Sequence, residues 1–374
     1  MNWTDRYLGL AACVLVAFAL GGCATQPDSK TAAPAARGPF VYPPPPAAPR
    51  IQHLATLAKA RDLGEPRSGF ADFIAGKEQN LPALTQPYGV AIDRNRVYVA
   101  DTGGPGLVVF DFDARKVRPV QGVGAGRMKR PINITIDADG TRYVTDTGHD
   151  QVLVYDSDDR YLRSIGGGEK FRPVDVAIVG EKLYAVDIGN HRVVVLNKRT
   201  GAVLARFGQP GTSAGDLFHP TNIAVGPGGD LFITETGNFR VQRFTPEGKH
   251  VRFYGEAGTQ PGTFARPKGI AIDRAGRIYV GDAAFQNVQI FTEDGKLLMD
   301  FGRPIEGLEG LNLPAAVKLD YDNVRMFERY ADPKFKIEYL VLVVSQFGPN
   351  KVDVYGFGRM AGVDYDAPPP ATKK

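Results

Sequence analysis

One unit recurs along this chain, and its spacing restricts the fold more than any other feature of the sequence. Each copy begins with a proline, continues through a short apolar run and reaches an aromatic-rich segment that usually ends in an acidic residue. Successive anchor prolines are 44, 42, 47, 47 and 47 residues apart. Such a period holds four short strands and their turns. The anchors are Pro87, Pro131, Pro173, Pro220, Pro267 and Pro314.

The apolar runs of the repeat predict strands rather than helices. They are short, and they are rich in Val, Ile, Tyr and Phe. The 44 Gly and 28 Pro of the chain are consistent with many turns. We therefore predict an all-β fold, a six-bladed β-propeller of four-stranded blades over residues 51–360. Copy six contains an insertion from Asp320 to Lys336, in which Tyr321–Ala331 predicts a short outer helix or a lid.

The loop that follows the second predicted strand resembles the NHL repeat. Copies three and four carry this loop most completely, as Asp187-Ile-Gly-Asn-His-Arg192 and Glu235-Thr-Gly-Asn-Phe-Arg240. The resemblance covers about Leu84–Gly358 and implies a propeller of six blades. It also implies that the acid at the start of each loop pairs with the arginine five residues later and stabilises the turn.

Copy six ends near Lys351–Tyr355 without a fourth strand. Propellers usually close by lending a strand across the chain ends, so an N-terminal segment is expected to complete this blade. Both Ile51–Leu57 and Phe70–Gly76 are candidates. We favour Ile51–Leu57, because the apolar residues of the second segment have helical spacing.

The N-terminus has the pattern of an export signal. An apolar stretch, Leu8–Leu20, is too short to span a bilayer. It leads into Leu-Gly-Gly-Cys23, which resembles a bacterial lipobox, although an ordinary secretory signal is an alternative. The resemblance implies a lipoprotein signal peptide over 1–22, a lipid on Cys23, and a membrane-anchored protein of the cell envelope. The outer membrane, facing the periplasm or the cell surface, is the expected site.

Two further segments lack the composition of a folded core. Residues 23–50 are rich in Pro and Ala and predict an extended tether. Residues 361–374 predict a disordered tail. The two cysteines, Cys13 and Cys23, both precede the predicted propeller, which therefore contains no disulfide.

The acidic residues at the ends of the second strands form a first ring of candidate site residues. This ring is expected on the face where propellers commonly bind ligands. The paired arginine is present only as Arg192 and Arg240. Asp101, Asp146 and Asp282 therefore lack it, and such carboxylates either accept backbone N–H groups or bind a ligand. The candidate ligand-face acids are Asp101, Asp146, Asp187, Glu235 and Asp282.

Two histidines and three polar residues near the anchor prolines are further candidates for a ligand or metal site. His149 and His191 lie in consecutive loops and could form a zinc pair or a base, or be ordinary loop residues. Asn133, Asp175 and Asn222 lie two residues after three successive anchor prolines. Their oxygens could bind Ca²⁺ at the tunnel mouth, or bond only to water and to their own turns. Calcium-dependent lactonases and related six-bladed hydrolases resemble this arrangement in general form.

The predicted function is that of a non-catalytic binding or scaffold module for a protein, peptide or glycan of the cell envelope. No catalytic set is recognisable, no cofactor is required, and Ca²⁺ is a possible ligand. A metal-dependent hydrolase or lyase is the rival hypothesis. The formal net charge of +4 without a basic run argues against nucleic acid as a partner.

Overall fold

The computed structural model describes residues 39–63, 84–104, 106–166 and 170–365. The strands in these ranges form six antiparallel sheets arranged as blades around a central tunnel. Five sheets have four strands and the sixth has five. The predicted six-bladed β-propeller is confirmed.

Blades one to three each follow the chain from the innermost to the outermost strand. Blade one is β3 (Pro87–Asp93), β4 (Arg96–Asp101), β5 (Gly106–Asp111) and β6 (Lys116–Val120). Blade two is β7 (Pro131–Ile136), β8 (Arg142–Asp146), β9 (Gln151–Tyr155) and β10 (Tyr161–Ile165). Blade three is β11 (Pro173–Val179), β12 (Lys182–Asp187), β13 (Arg192–Asn197) and β14 (Val203–Phe207).

Blades four and five repeat this order, and blade six combines both ends of the described chain. Blade four is β15 (Pro220–Val225), β16 (Leu231–Glu235), β17 (Arg240–Phe244) and β18 (His250–Tyr254). Blade five is β19 (Pro267–Ile272), β20 (Ile278–Asp282), β21 (Asn287–Phe291) and β22 (Leu297–Phe301). Blade six is β23 (Pro314–Asp320), β24 (Phe335–Ser345), β25 (Val352–Met360), β2 (Ile51–Leu57) and β1 (Val41–Tyr42).

The first strand of each blade lies innermost and begins at an anchor proline. A proline lacks the N–H that a ladder needs, so it is tolerated at the first residue of a strand. The pairing of all six inner strands shifts register directly after this proline. The shift sets which residues face the tunnel.

The hydrophobic core lies between successive blades. Val186 and Val193 of blade three pack with Ile223 and Ile233 of blade four in one such cluster, and Val186, Val193 and Ile233 are fully buried. Burying an aliphatic side chain of this size contributes about 1.5–3 kcal/mol. The blades therefore hold one another in place, and a blade would not be stable alone.

A buried arginine joins blades one and two. Arg142 has only 1% of its surface exposed. Its guanidinium donates to the carbonyl oxygens of Gly140 and Asp156 at 2.8 and 2.9 Å. It also donates to the Tyr98 hydroxyl at 2.6 Å and to the Asp93 carboxylate at 3.1 Å. The charge is buried with several partners, as a buried charge requires.

Strand β2 closes the ring by pairing with β25, from Ile51 opposite Phe357 to Leu57 opposite Val352. Ile51–Leu57 is thus the closing strand, as preferred from the sequence, and the alternative segment over 70–76 lies outside the described residues. The Thr56 hydroxyl donates to the buried Asp353 carboxylate at 2.6 Å.

The predicted tether over residues 23–50 is too long at its C-terminal end, because Val41 and Tyr42 already belong to blade six. Val41 and Tyr42 form β1 against β2, and both side chains are buried. At the other end, the Tyr365 hydroxyl donates to the Pro49 carbonyl at 2.6 Å, so the predicted disordered tail begins later than residue 361. Residues 366–374 lie outside the described residues.

The insertion in blade six is neither the single outer helix nor the lid expected from the sequence. It contains two 3-10 helices, Val324–Met326 and Glu328–Tyr330. Phe327 between them is fully buried and packs on Phe112 of blade one, with ring centroids 5.2 Å apart. Burial of this aromatic side chain interrupts the predicted helix. The insertion therefore packs between blades six and one. Two further 3-10 helices are Ala60–Leu63 and Gly124–Gly126.

The part of the chain that the structure describes has no helix with the length and hydrophobicity needed to cross a bilayer. The predicted signal peptide over 1–22 and Cys23 lie outside that part.

Candidate functional site

The acids that lack an arginine partner are used by their own loops. Asp146 is fully buried and accepts four backbone N–H groups at 2.7–3.1 Å. Asp282 accepts four at 2.8–3.1 Å, and Asp101 accepts three at 2.6–3.0 Å. These carboxylates therefore accept backbone N–H groups, the first of the two possibilities considered from the sequence.

The two acids of the NHL-like loops pair as the resemblance implies. Arg192 Nε lies 3.0 Å from the Asp187 carboxylate, and Arg240 Nε lies 2.7 Å from the Glu235 carboxylate. Both acids have no exposed surface. In the sixth blade, the Ser345 hydroxyl accepts the N–H of residue 312 at 3.1 Å. The whole ring is structural, because burial and hydrogen bonds fix every member to a turn.

The two candidate histidines each contact different neighbours. His149 Nε2 lies 2.7 Å from the Arg127 carbonyl oxygen. His191 instead stacks on Phe218 at 5.1 Å and accepts the backbone N–H of His219 at 2.9 Å. Burial and the neighbouring His219 lower the pKa of His191, so its imidazole is neutral near pH 7. No group of three His, Cys, Asp or Glu side chains able to hold a metal occurs among the described residues.

The polar residues after the anchor prolines line the tunnel together, as predicted. Asn133, Asp175 and Asn222 border one cavity on three neighbouring inner strands. The Asn133 side-chain oxygen accepts the N–H of Ile134 at 2.9 Å. The Asp175 carboxylate accepts the N–H groups of Val176 at 2.8 Å and of residue 223 at 3.0 Å. Asn133 and Asp175 therefore bond to backbone N–H groups of the inner strands, and Asp175 links two neighbouring inner strands.

Asp175 has an unusual protonation equilibrium. Only 5% of its surface is exposed. This burial raises the pKa of Asp175 to about 7, against the lowering effects of backbone N–H groups and of Lys318. Its proton occupancy therefore changes near neutral pH.

The other residues that lie two positions after an anchor proline are small, because the inner strands approach closely. A Cβ atom on Gly89 would lie 2.6 Å from Asn133 Cα, and one on Gly269 would lie 2.7 Å from Ala316 Cα. Neither contact is sterically possible without movement of a backbone. The polar side chains are thus confined to blades two, three and four.

A further charged side chain lines the same cavity and was not singled out from the sequence. Lys318 lies four residues after its anchor proline, where the other inner strands carry Ala or Thr. The equivalent residues are Ala91, Thr135, Ala177, Ala224 and Ala271. Burial lowers the pKa of Lys318, and Asp175 and Asp320 oppose this effect. Within the described ranges, its ammonium group forms neither a hydrogen bond nor an ion pair. The exchange of Ala for Lys at a fixed repeat position was the signal available in the sequence.

A second lysine lies at the loop-face end of the tunnel. Lys268 Nζ donates to the Gln346 side-chain oxygen at 3.0 Å and lies 5.2 Å from the centre of the Tyr88 ring. Burial, together with the positive charge of Arg266, lowers the pKa of Lys268 to about 8. Burial, together with the Asp175 charge, raises the pKa of Tyr88. These three residues, from blades one, five and six, define the throat of the tunnel.

Around this throat lies a set of cations. Arg130, Arg172 and Arg266 each directly precede an anchor proline and are exposed. In the described part of the chain their guanidinium groups have no hydrogen-bond, ion-pair or ring partner. His219 occupies the equivalent position in blade four. The three arginines thus place exposed positive charge on the loop face, beside exposed acids such as Asp150, Glu256 and Glu306.

Exposed aromatic side chains accompany the cations on this face. Phe218, Phe239 and Phe347 have 39%, 37% and 48% of their surface exposed. Phe239 and Phe347 lie in loops between second and third strands, and Phe218 lies two residues before an anchor proline. Together with the three arginines they define the loop-face patch.

This fold and its loops define a six-bladed β-propeller built on NHL-type repeats. The NHL repeat family model matches residues 219–244, which span most of copy four. The match confirms the NHL resemblance at the copy where the loop is most complete.

Solved structures of several propellers are similar to this chain. A gluconolactonase from Xanthomonas campestris has a TM-score of 0.55 at 15% identity, covering 86% of this chain and 95% of its own. A Bacteroides thetaiotaomicron protein of unknown function has a TM-score of 0.57 at 19% identity, covering 82% and 75%. Virginiamycin B lyase from Staphylococcus aureus has a TM-score of 0.50 at 15% identity, covering 73% and 84%. At these identities the similarity establishes the fold alone.

Proposed function

We propose that this protein is a non-catalytic binding propeller of the cell envelope that captures a protein, peptide or glycan partner through its loop-face patch. The observation that carries the proposal is the combination of three unpaired arginines and three exposed aromatic side chains on one rigid face. Arginine and aromatic residues are enriched at interface hot spots, where they supply both charge and contact area. The face is formed by loops held at the ends of paired strands, so little ordering is needed on binding.

The buried ring of acids also supports a binding role. Because each carboxylate is occupied by its own loop, the acids shape the face instead of taking part in chemistry. The partner is expected to meet cations and aromatic rings, and an acidic partner surface matches this chemistry.

Membrane attachment through a lipid on Cys23 is the second component of the proposal. Support comes from the lipobox-like sequence that ends at Cys23. A Cys23→Ser variant should lose incorporation of labelled fatty acid and leave the membrane fraction. Equal fatty-acid labelling of both proteins would contradict the proposed anchor.

Partner capture is tested with a triple variant, Arg130→Ala, Arg172→Ala and Arg266→Ala. Cross-linking in envelope preparations should recover a partner with the wild-type protein and lose it with the variant, because the unpaired charges are removed. A matched control removes three exposed arginines away from the loop face: Arg115, Arg160 and Arg325. Equal capture by the loop-face variant and the control would overturn the proposal.

A metal-dependent hydrolase or lyase remains the alternative, and one observation favours it. Asn133, Asp175 and Asn222 line a common cavity, and Asp175 has a pKa suited to proton transfer near neutrality. Against a calcium site, three side chains supply few of the 6–8 oxygens that Ca²⁺ takes, and backbone N–H groups already occupy the Asp175 oxygens. The residues present therefore fit Ca²⁺ poorly.

Elemental analysis of the purified protein separates the two proposals. Stoichiometric Ca²⁺ or Zn²⁺, together with a thermal shift that Asp175→Asn abolishes, would establish the metal-dependent alternative. Absence of bound metal and an unchanged melting temperature on adding either ion would remove it.

A further inference from the structure

The central cavity differs from the loop-face patch in position and in chemistry. Its volume is about 540 Å³, within the range of small-molecule sites. The lining extends from Asp175 in the polar ring to Gly180 and Glu181 in the turn after β11. The Glu181 side chain is 56% exposed, so the cavity reaches solvent at the face opposite the loop-face patch.

The charges along this cavity fall into two groups. At the outer end, Lys198 pairs with Asp137 at 2.7 Å and lies 3.7 Å from Glu181. Arg199 Nε lies 2.8 Å from Glu181, so two cations and two carboxylates compensate one another here and leave little attraction for a ligand. Deeper in the ring lie Asp175 and Lys318, on the opposed blades three and six. They interact through the cavity without forming an ion pair.

Burial disfavours the charged form of Lys318, and packing of the inner strands does not need its long side chain. Four of the other five inner strands place alanine there, so the ring closes without a long side chain. The Lys318 side chain is partly buried and borders the cavity, and its ammonium group has no hydrogen-bond partner in the described part of the chain. Its donors are therefore available to an anion that enters the cavity.

We infer that the central tunnel is a second binding site, which takes a small organic monocarboxylate whose carboxylate pairs with Lys318. One lysine can neutralise one negative charge, whereas a phosphate or dicarboxylate would bring a second charge close to Asp175. The neighbouring Ala224, Ala271 and Thr135 leave room for the body of the ligand. The inference is independent of the proposed function, since no residue of the loop-face patch lines this cavity.

The decisive variant is Lys318→Ala, because it installs the residue that four equivalent positions already carry. Binding of butyrate and benzoate is measured by isothermal titration calorimetry and by protein-observed NMR at pH 7. The wild-type protein should bind at least one of them saturably, and Lys318→Ala should bind it about tenfold or more weakly, as expected for loss of a charge-assisted hydrogen bond. The control is Lys249→Ala, which removes an exposed lysine of blade four and should bind like the wild type.

Other probes distinguish this site from general anion binding. Inorganic phosphate and butylamine should not compete with the carboxylate. The inference is overturned if neither carboxylate binds saturably, if phosphate competes fully, or if Lys318→Ala and Lys249→Ala bind equally. Partner capture through the loop-face patch is unaffected by Lys318→Ala, so failure here is distinguishable from failure of the proposed function.

Discussion

At the scale of single residues, burial determines what each polar side chain can do. In the blades that lack the paired arginine, the acids of the loop ring were expected either to accept backbone N–H groups or to bind a ligand. Backbone N–H groups replace the arginine as partners of Asp101, Asp146 and Asp282. A carboxylate that accepts several N–H groups satisfies donors that would otherwise be buried without a partner.

The first residue-scale prediction concerns Asp146. Asp146→Ala leaves four N–H groups without their acceptor, and we expect a loss of about 2–4 kcal/mol in the free energy of unfolding. Urea unfolding followed by circular dichroism measures the change. Asp158→Ala is the control, since the Asp158 side chain is 66% exposed and makes only a 3.9 Å contact with an exposed arginine. Similar stability of the two variants would contradict the structural role.

The second residue-scale prediction concerns pH. The pKa of Asp175 rises from an ordinary 3.8 to about 7 in the folded protein. Between these values the native state binds a proton that the unfolded state has lost, so this residue makes stability fall as pH rises from about 4 to 7. Asp175→Asn should remove that component. The difference between the unfolding free energies of variant and wild type, measured by urea titration at several pH values, should grow in favour of the variant across this window. A difference independent of pH would show that the Asp175 pKa is ordinary.

At the scale of elements, the contacts between blades decide which substitutions are severe. Arg142 links blades one and two through Tyr98, Asp93 and two carbonyl oxygens. Arg142→Ala removes these bonds together with the buried contact of Arg142 Nε to the Asp159 carboxylate at 2.9 Å, and we expect destabilisation of about 3–5 kcal/mol. Thermal and urea unfolding measure the effect against Arg160→Ala, whose side chain is 77% exposed in the wild type. A loss of less than about 1 kcal/mol in the free energy of unfolding would show that the Arg142 contacts stabilise no more than an exposed ion pair does.

The closing strand supplies the second element-scale prediction. A chain beginning at Pro39 retains β1 and β2, whereas a chain beginning at Ala58 exposes the edge of β25 to solvent. The shorter chain should melt at a lower temperature and aggregate through the unpaired edge, while the chain beginning at Pro39 should melt like the full-length protein. Calorimetry and light scattering compare the two chains. Equal melting temperatures would show that β2 is dispensable for closure.

At the scale of the whole molecule, the repeat allowed the architecture to be predicted from the sequence. The anchor prolines, the strand order and the closing strand followed from spacing and turn chemistry. The conformation of the blade-six insertion was harder to predict from the sequence. It depends on the contact of Phe327 with Phe112, which belongs to a blade distant in sequence. The start of blade six was placed too late, because the short β1 depends on its pairing with β2 and on packing of Tyr42 against Phe301 and Tyr355.

The candidate sites were predicted less completely than the fold. Asn133, Asp175 and Asn222 were found because they depart from a repeat position. Lys318 departs from its position in the same way, but its importance becomes visible only when the six inner strands surround one cavity. Arg130, Arg172 and Arg266 lie beside prolines that attract attention first, and only the structure shows that their charges are unpaired.

Blade six also determines how the molecule responds to mechanical force. The chain before Pro39 continues into β1, the outermost strand, which is held to β2 by two residue pairs. Tension on the N-terminal segment therefore loads β1 first and the β2–β25 ladder next. Blades one to five each consist of consecutive strands and bear none of this load directly. A pull strong enough to separate β2 from β25 would open the ring at that position and leave the other blades intact. The β2–β25 pairing is therefore where the whole propeller opens under tension.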